Sequence, residues 1–234
     1  MAQDRSFEVA IGREAVSERS FLSQVYLWMA MGLALTGFVA GWMAMNPSVV
    51  VAFARNMGLF IVLALVQLGI VFWLSSQILR LSVMTATIGF SIYATLNGIL
   101  FSTIFLAYTA ASIASTFFVS AGMFGAVSVY GFATKRDLTS VGSIAFMGLI
   151  GIIIASLVNV FFRNPMLDSI ISYVGIVIFI GLTAYDTQKL KSIHHQGFAS
   201  SDVLAKVALL GALTLYLDFI NLFLLLLRVM GRRR

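Results

Sequence analysis

A seven-helix, all-α membrane bundle is the fold this sequence predicts, and three observations predict it. Of its 234 residues, 60% are hydrophobic and only 10% are charged, against roughly 25% charged in soluble domains. Such a chain cannot cover a water-facing exterior, whereas lipid tails solvate an apolar one. Seven apolar runs follow one another, each near the 20 residues that cross roughly 30 Å of hydrocarbon. The breaks between them are mostly short, and both prolines, Pro47 and Pro165, fall in breaks, so no span carries a proline kink.

Residues 1–20 are polar and mixed in charge, from Asp4 to Arg19, and read as a flexible or surface-lying N-terminal arm. Residues 21–234 read as one transmembrane domain. Its first run, Phe21–Met45, is too long for a signal peptide and lacks a small-residue cleavage site after it. The other runs are Gly58–Ser76, Ser82–Ala107, Ala110–Thr134, Ser140–Phe162, Ser169–Thr187 and Val207–Arg228. Short breaks make consecutive helices antiparallel neighbours. The longest break, Gln188–Lys206, is polar.

Lys and Arg set the orientation, because they concentrate on the cytoplasmic side. With the N-terminus inside, nine of them lie inside: Arg5, Arg13, Arg19, Arg80, Lys135, Arg136, Lys189, Lys191 and Lys206. Arg55 and Arg163 lie outside. The last run leaves two arrangements open. If it crosses, Arg228 and Arg232–Arg234 emerge outside; if it is re-entrant, they stay inside. Seven crossings are the expectation taken forward.

The net charge of +6 comes from residues between the spans and at the C-terminus. These read as topology determinants and headgroup contacts rather than a nucleic-acid surface. The chain has no cysteine, which excludes disulfides, iron–sulfur clusters and thiolate zinc. His194 and His195 are adjacent, and on a helix they point about 100° apart. They read as a polar loop pair rather than a metal site. Gly37 with Gly41, and Ala121 with Gly125, have the spacing that lets helix backbones approach, and are expected to pack within the bundle.

The informative residues of a bilayer protein are its polar ones. Asp218 sits deep in the last apolar run. An ionised Asp at a span centre costs roughly 2.5–3.5 kcal/mol on insertion scales, so it must be neutral, paired or facing water. Asp186 closes the sixth run with Lys189 three residues on; an interfacial ion pair is the plain reading. Asn97, Asn159 and Asn221 are expected to form interhelical hydrogen bonds. Two carboxylates on adjacent helices could share a proton, offer oxygens to Ca²⁺, or activate water for proteolysis. The Gly-x-Gly-Asp and Pro-Ala-Leu motifs of intramembrane aspartyl proteases are absent. No nucleophile–base pair, phosphate loop or metal cluster is visible, so no enzyme and no cofactor are expected.

Leu182-Thr-Ala-Tyr-Asp-Thr-Gln-Lys-Leu190 and Leu215-Tyr-Leu-Asp-Phe-Ile-Asn-Leu-Phe223 resemble the two most diagnostic stretches of the Bax inhibitor-1 family. Thr134-Lys-Arg-Asp-Leu-Thr139 and Phe105-Leu-Ala-Tyr-Thr-Ala110 resemble it too, and the likeness runs from about Phe21 to Arg234. It implies a bundle with the last helix central, in a bacterial inner membrane. It also implies a pH-sensitive Ca²⁺ or cation leak whose paired-aspartate sensor matches Asp186 and Asp218, with Ca²⁺ as the transported or bound ion. Gln67 stands where a bacterial leak member carries a pore-lining Glu. Arg80 is what remains of an arginine cluster near the sensor. Asn221 joins them as a residue expected at the pore or supporting the gate. Beyond the bilayer, the resemblance offers one alternative: a non-conducting regulator of membrane-protein quality control, acting on a membrane-bound ATP-dependent protease. Oligomeric state is left open.

Overall fold

The computed structural model describes residues 2–195 and 200–233, with side chains described for 20–194 and 200–233. Among the described residues the elements are helices: α1 (Ala2–Ala44), α2 (Pro47–Arg55), α3 (Met57–Gln77), α4 (Val83–Phe101), α5 (Ile104–Ala107), α6 (Ala110–Ala133), α7 (Thr139–Phe162), α8 (Pro165–His195) and α9 (Ser201–Met230). Seven helical segments are long and apolar enough to cross a membrane. α5 continues the span begun by α4 after a turn at Ser102 and Thr103.

Local chemistry starts these helices. The first N–H groups of a helix have no partner of their own and need an oxygen from outside. The side chains of Asn56, Ser82, Thr109 and Ser200 accept from the amides of Leu59, Thr85, Ser112 and Val203. Pro47 and Pro165 take first helical positions, where a missing N–H is harmless.

α9 is the centre. Leu215, Tyr216 and Leu222 have no exposed surface. α8, α1, α6 and α4 pack around it, while α3 attaches chiefly through α4 and α7 chiefly through α8. The outer faces carry exposed Phe, Ile, Leu and Met, among them Phe72, Phe118, Ile154 and Phe161. A lipid-bathed exterior requires such faces, since the backbone is already satisfied within each helix.

Several expectations change. The backbone of residues 2–20 is helical and continuous with the first span. The break at Asn46–Met57 holds α2, which buries Val50 and Phe53. α8 runs on to His195 and α9 starts at Ser201, so the long polar break shrinks; residues 196–199 lie outside the described residues. Hydrocarbon thickness bounds a span but not the helix that carries it, and polar residues remain helical beyond the boundary. α9 is one unbroken helix, and its end lies against the α5–α6 loop. There Thr109 N donates to Arg232 O (3.2 Å) and Arg232 N to Ser112 Oγ (2.8 Å). The last run is thus a single helix long and apolar enough to cross, without the break that a re-entrant segment needs. The Gly37/Gly41 and Ala121/Gly125 expectation fails at its glycines: Cβ atoms at Gly37, Gly41 and Gly125 would meet nothing within 4 Å. Close approach falls instead at Gly131, where a Cβ would strike the backbone oxygen of Ala184.

Candidate functional site

The site forms where α8 and α9 run antiparallel. Leu190 fills the space that Gly211 leaves, and Leu225 fills the space at Gly175; these two contacts set the register. They place Asp186 about one turn nearer the α8–α9 connection than Asp218. Every Cα–Cβ bond tilts towards its own helix N-terminus. In antiparallel helices the two aspartates therefore tilt towards each other, and their carboxyls come within hydrogen-bonding reach. Both helices continue well past the pair, so the contact lies inside the bundle.

The surroundings are unequal. Asp218 is 5% exposed, and its Oδ2 has no hydrogen-bond partner. Asp186 is partly buried, with Lys189 one turn on. Lys189 lies 5.7 Å from the Tyr185 ring. Thr183 and Thr187 are fully buried on the same helix. Thr183 Oγ1 returns its proton to Phe179 O (2.7 Å), and Thr187 Oγ1 lies 3.2 Å from Tyr26 Oη of α1.

A second feature flanks the pair. Gln188 binds the α6–α7 loop through both ends of its amide: Leu138 N donates to Oε1, and Nε2 donates to Arg136 O, each at 2.8 Å. Lys191 Nζ donates to Phe132 O (3.1 Å) and sits 4.6 Å from the Phe132 ring. The turn of α8 that carries Asp186 is thus tied to the end of α6 and the loop after it. In that loop Asp137 accepts from Thr139 N and Thr139 Oγ1 (2.8 and 2.6 Å), which holds its carboxyl below the usual carboxylate range. Nothing in the sequence marks Gln188 or Lys191 as ties to the end of α6 and the loop after it. Gln188 stands inside the diagnostic stretch beside Asp186, but nothing local reveals that its amide faces a loop fifty positions away.

The other sequence candidates are not joined to the pair by any hydrogen bond or ion pair among the described residues. Gln67 is buried on α3, and its Nε2 has no hydrogen-bond partner. Arg80 is exposed in the turn after α3. Asn221 Nδ2 donates to Leu217 O of its own helix (2.8 Å), and Asn97 Nδ2 to Tyr93 O (3.3 Å), so these amides do not bond between helices as expected. Asn159 Oδ1 likewise binds the Asn164 amide beyond its own helix end (2.9 Å). His194 stacks on Phe21 at 5.2 Å; the side chain of His195 lies outside the described residues. Among the described residues no three His, Cys, Asp or Glu side chains converge as a metal site. Two carboxylates supply at most four oxygens, where Ca²⁺ takes six to eight. The pair can hold a proton between its oxygens, and it can offer a passing cation part of its shell.

Comparison with known proteins agrees with the architecture. The family described as inhibitor of apoptosis-promoting Bax1 matches residues 18–234. The chain is 50% identical to the inner membrane protein YbhL of Escherichia coli (strain K12) over 217 residues, covering 92% of this chain and 93% of that one. It is 45% identical to an uncharacterized protein of Rickettsia prowazekii over 92% of this chain and 91% of the relative. It is 42% identical to an uncharacterized protein of Borreliella burgdorferi over 95% and 96% of the two chains. A family match over nearly the whole chain, with seven apolar helices around a central last one, makes this protein a multi-pass membrane member of the Bax inhibitor-1 family.

Proposed function

We propose that the protein is a pH-sensitive cation leak, with Ca²⁺ as the expected ion and Asp186 with Asp218 as its sensor. The observation that carries this reading is the contact between two carboxyls inside a bundle of apolar helices. Two negative charges a few ångströms apart in such surroundings are not both stable, so the pair holds one proton and titrates as a unit. While the proton is shared, it bonds α8 to α9. When it leaves, the carboxylates repel each other, and the helices that meet there are pushed apart. The leak therefore rises with pH. The N-terminus lies in the cytoplasm, as the Lys and Arg count favours even with seven crossings.

Reconstituted liposomes loaded with a Ca²⁺-sensitive dye test the reading at two pH values. Wild type should leak faster at the higher one. Asp218→Asn keeps the shape but removes one titrating group, and should flatten the pH response. Asp186→Asn should do the same, and the double variant should add little, because coupled groups act together. A single variant that keeps the wild-type pH slope would remove the pair as the sensor. Absence of Ca²⁺ flux at any pH would favour the non-conducting regulator. Gln67→Glu tests the path itself: an added carboxylate in a pore attracts cations and should raise flux.

A further inference from the structure

At the opposite end of the bundle from the α6–α7 loop, α7, α8, α9 and the segments that follow α7 and α9 line an open surface pocket of about 430 Å³. Arg163, Arg228 and Arg233 line it, from three separate parts of the chain. One carboxylate faces them. Asp168 Oδ1 accepts from Arg228 Nη1 at 3.0 Å, and among the described residues Arg163 and Arg233 form no ion pair. Asn159 and Asn164 are part of the polar wall, and the side-chain oxygen of each accepts hydrogen bonds. Asn159 Oδ1 accepts from the Asn164 amide (2.9 Å), and Asn164 Oδ1 accepts from the amides of Met166 and Leu167 (2.9 and 3.4 Å). What each has left is an NH₂ group, a donor. Ser169 and Ser172 also line the pocket, with their protons donated to Pro165 O and Asp168 O (3.0 and 2.8 Å); the charge balance is three arginines against one carboxylate, itself bonded to Arg228.

Arg163 is the one non-glycine residue with positive φ among the described residues (φ 48°). Arg233 reaches the cavity because the tail is folded back along the α5–α6 loop. It bridges to Tyr108, while Arg232 bonds Thr109 and Ser112 through backbone atoms. Arginine at this end also runs against the Lys and Arg bias that favours the other end.

We propose that this cavity binds a phosphoryl anion, held bidentately by guanidiniums whose planar forks match its oxygens. The group could be the phosphodiester of an anionic lipid headgroup at the membrane boundary or a free phosphate, and one experiment separates them. The full-length protein in a zwitterionic detergent-free nanodisc or mild nonionic detergent is heated at constant ionic strength with one of three probes. These are a short-chain phosphatidylglycerol, the matching short-chain phosphatidylcholine, and inorganic phosphate. A ligand that binds only the folded state raises the unfolding midpoint.

A rise with phosphatidylglycerol above that with phosphatidylcholine assigns the lipid. A rise with inorganic phosphate equal to or greater than the lipid's assigns the free anion. No rise with either anion overturns the proposal on wild type alone, so the result does not depend on any variant folding. In the double variant Arg163→Gln with Arg233→Gln, apparent affinity should fall by at least about tenfold, as expected for the loss of two charge-assisted contacts. Arg55→Gln, an arginine at the same end that does not line the cavity, should leave affinity unchanged. Equal losses in both variants would mean diffuse surface charge and would also overturn the site.

Discussion

α7 and α9 are both long apolar helices, yet they have opposite fates. The most apolar window of α7 has a mean hydropathy of 2.5 and is 6% buried; that of α9 has 2.0 and is 67% buried. In water the more apolar helix would be the inner one. In a bilayer the lipid is as apolar as leucine, so hydropathy does not draw a helix inwards. The polar groups decide. Tyr216 and Asp218 on α9 need partners that lipid cannot supply. Tyr216 Oη finds Thr36 Oγ1 at 2.7 Å, and Thr36 in turn donates to Ala94 O at 2.8 Å. On α7 the amide of Asn159 is met just beyond its own helix end, by Asn164 N at 2.9 Å. That helix buries only Gly142 and Ala145 and leaves Ile144, Ile154 and Leu157 to the lipid.

The largest test of this contrast is a glycine pair. Gly131→Val places a side chain against the backbone of Ala184, where α6 meets α8, and neither backbone can yield cheaply. It should cost about 3 kcal/mol, the upper end for overpacking, in a reversible unfolding titration in mixed micelles. Gly151→Val on α7, with nothing within 4 Å of its Cβ, should change stability by less than about 0.5 kcal/mol. Equal losses would mean that α7 is packed against something in the membrane.

A pair of leucines gives the next effect. Leu222→Ala on α9 opens a cavity at a fully buried position and should cost about 2 kcal/mol, the lower end for such truncations, because lipid removes part of the transfer term. Leu157→Ala on α7, 61% exposed, should be close to neutral by the same titration. Tyr216→Phe comes third. It removes one hydroxyl bond while Thr36 keeps its bond to Ala94 O, so the loss should be about 1 kcal/mol. A larger loss would show that the Tyr216 hydroxyl serves a wider network.

The smallest effect lies at the start of α7. Asp137→Ala removes the acceptor for both Thr139 donors. Because these bonds lower the Asp137 pKa, its contribution is fully present above the ordinary carboxylate range. It is lost as pH falls through the lowered value. The difference in unfolding midpoint between wild type and Asp137→Ala should therefore be small at neutral pH and shrink in acid. A difference that grew in acid would contradict the assigned hydrogen bonds.

Bilayer thickness and local chemistry act over short stretches, and what they control is legible in the amino-acid order. Seven runs of span length, the breaks that hold both prolines, and Asp218 as a polar residue inside an apolar run all follow from neighbours a few positions apart. The expected runs agree with the helices to within a few residues, except where helices leave the hydrocarbon. There the length rule has no force, which is why α8 and α9 extend beyond Thr187 and begin before Val207. What depends on which faces meet came from the packing of the helices. It brought Asp186 to Asp218 through the register of two antiparallel helices. It made Gly131 a close contact and left Gly37 and Gly41 open, although all are small residues in apolar runs. It tied Gln188 to the α6–α7 loop and gathered Arg163, Arg228 and Arg233 around one cavity. In lipid every apolar face is equally content to stay exposed, so composition cannot say which faces pack. Steric fit and the pairing of a few polar side chains across helices do.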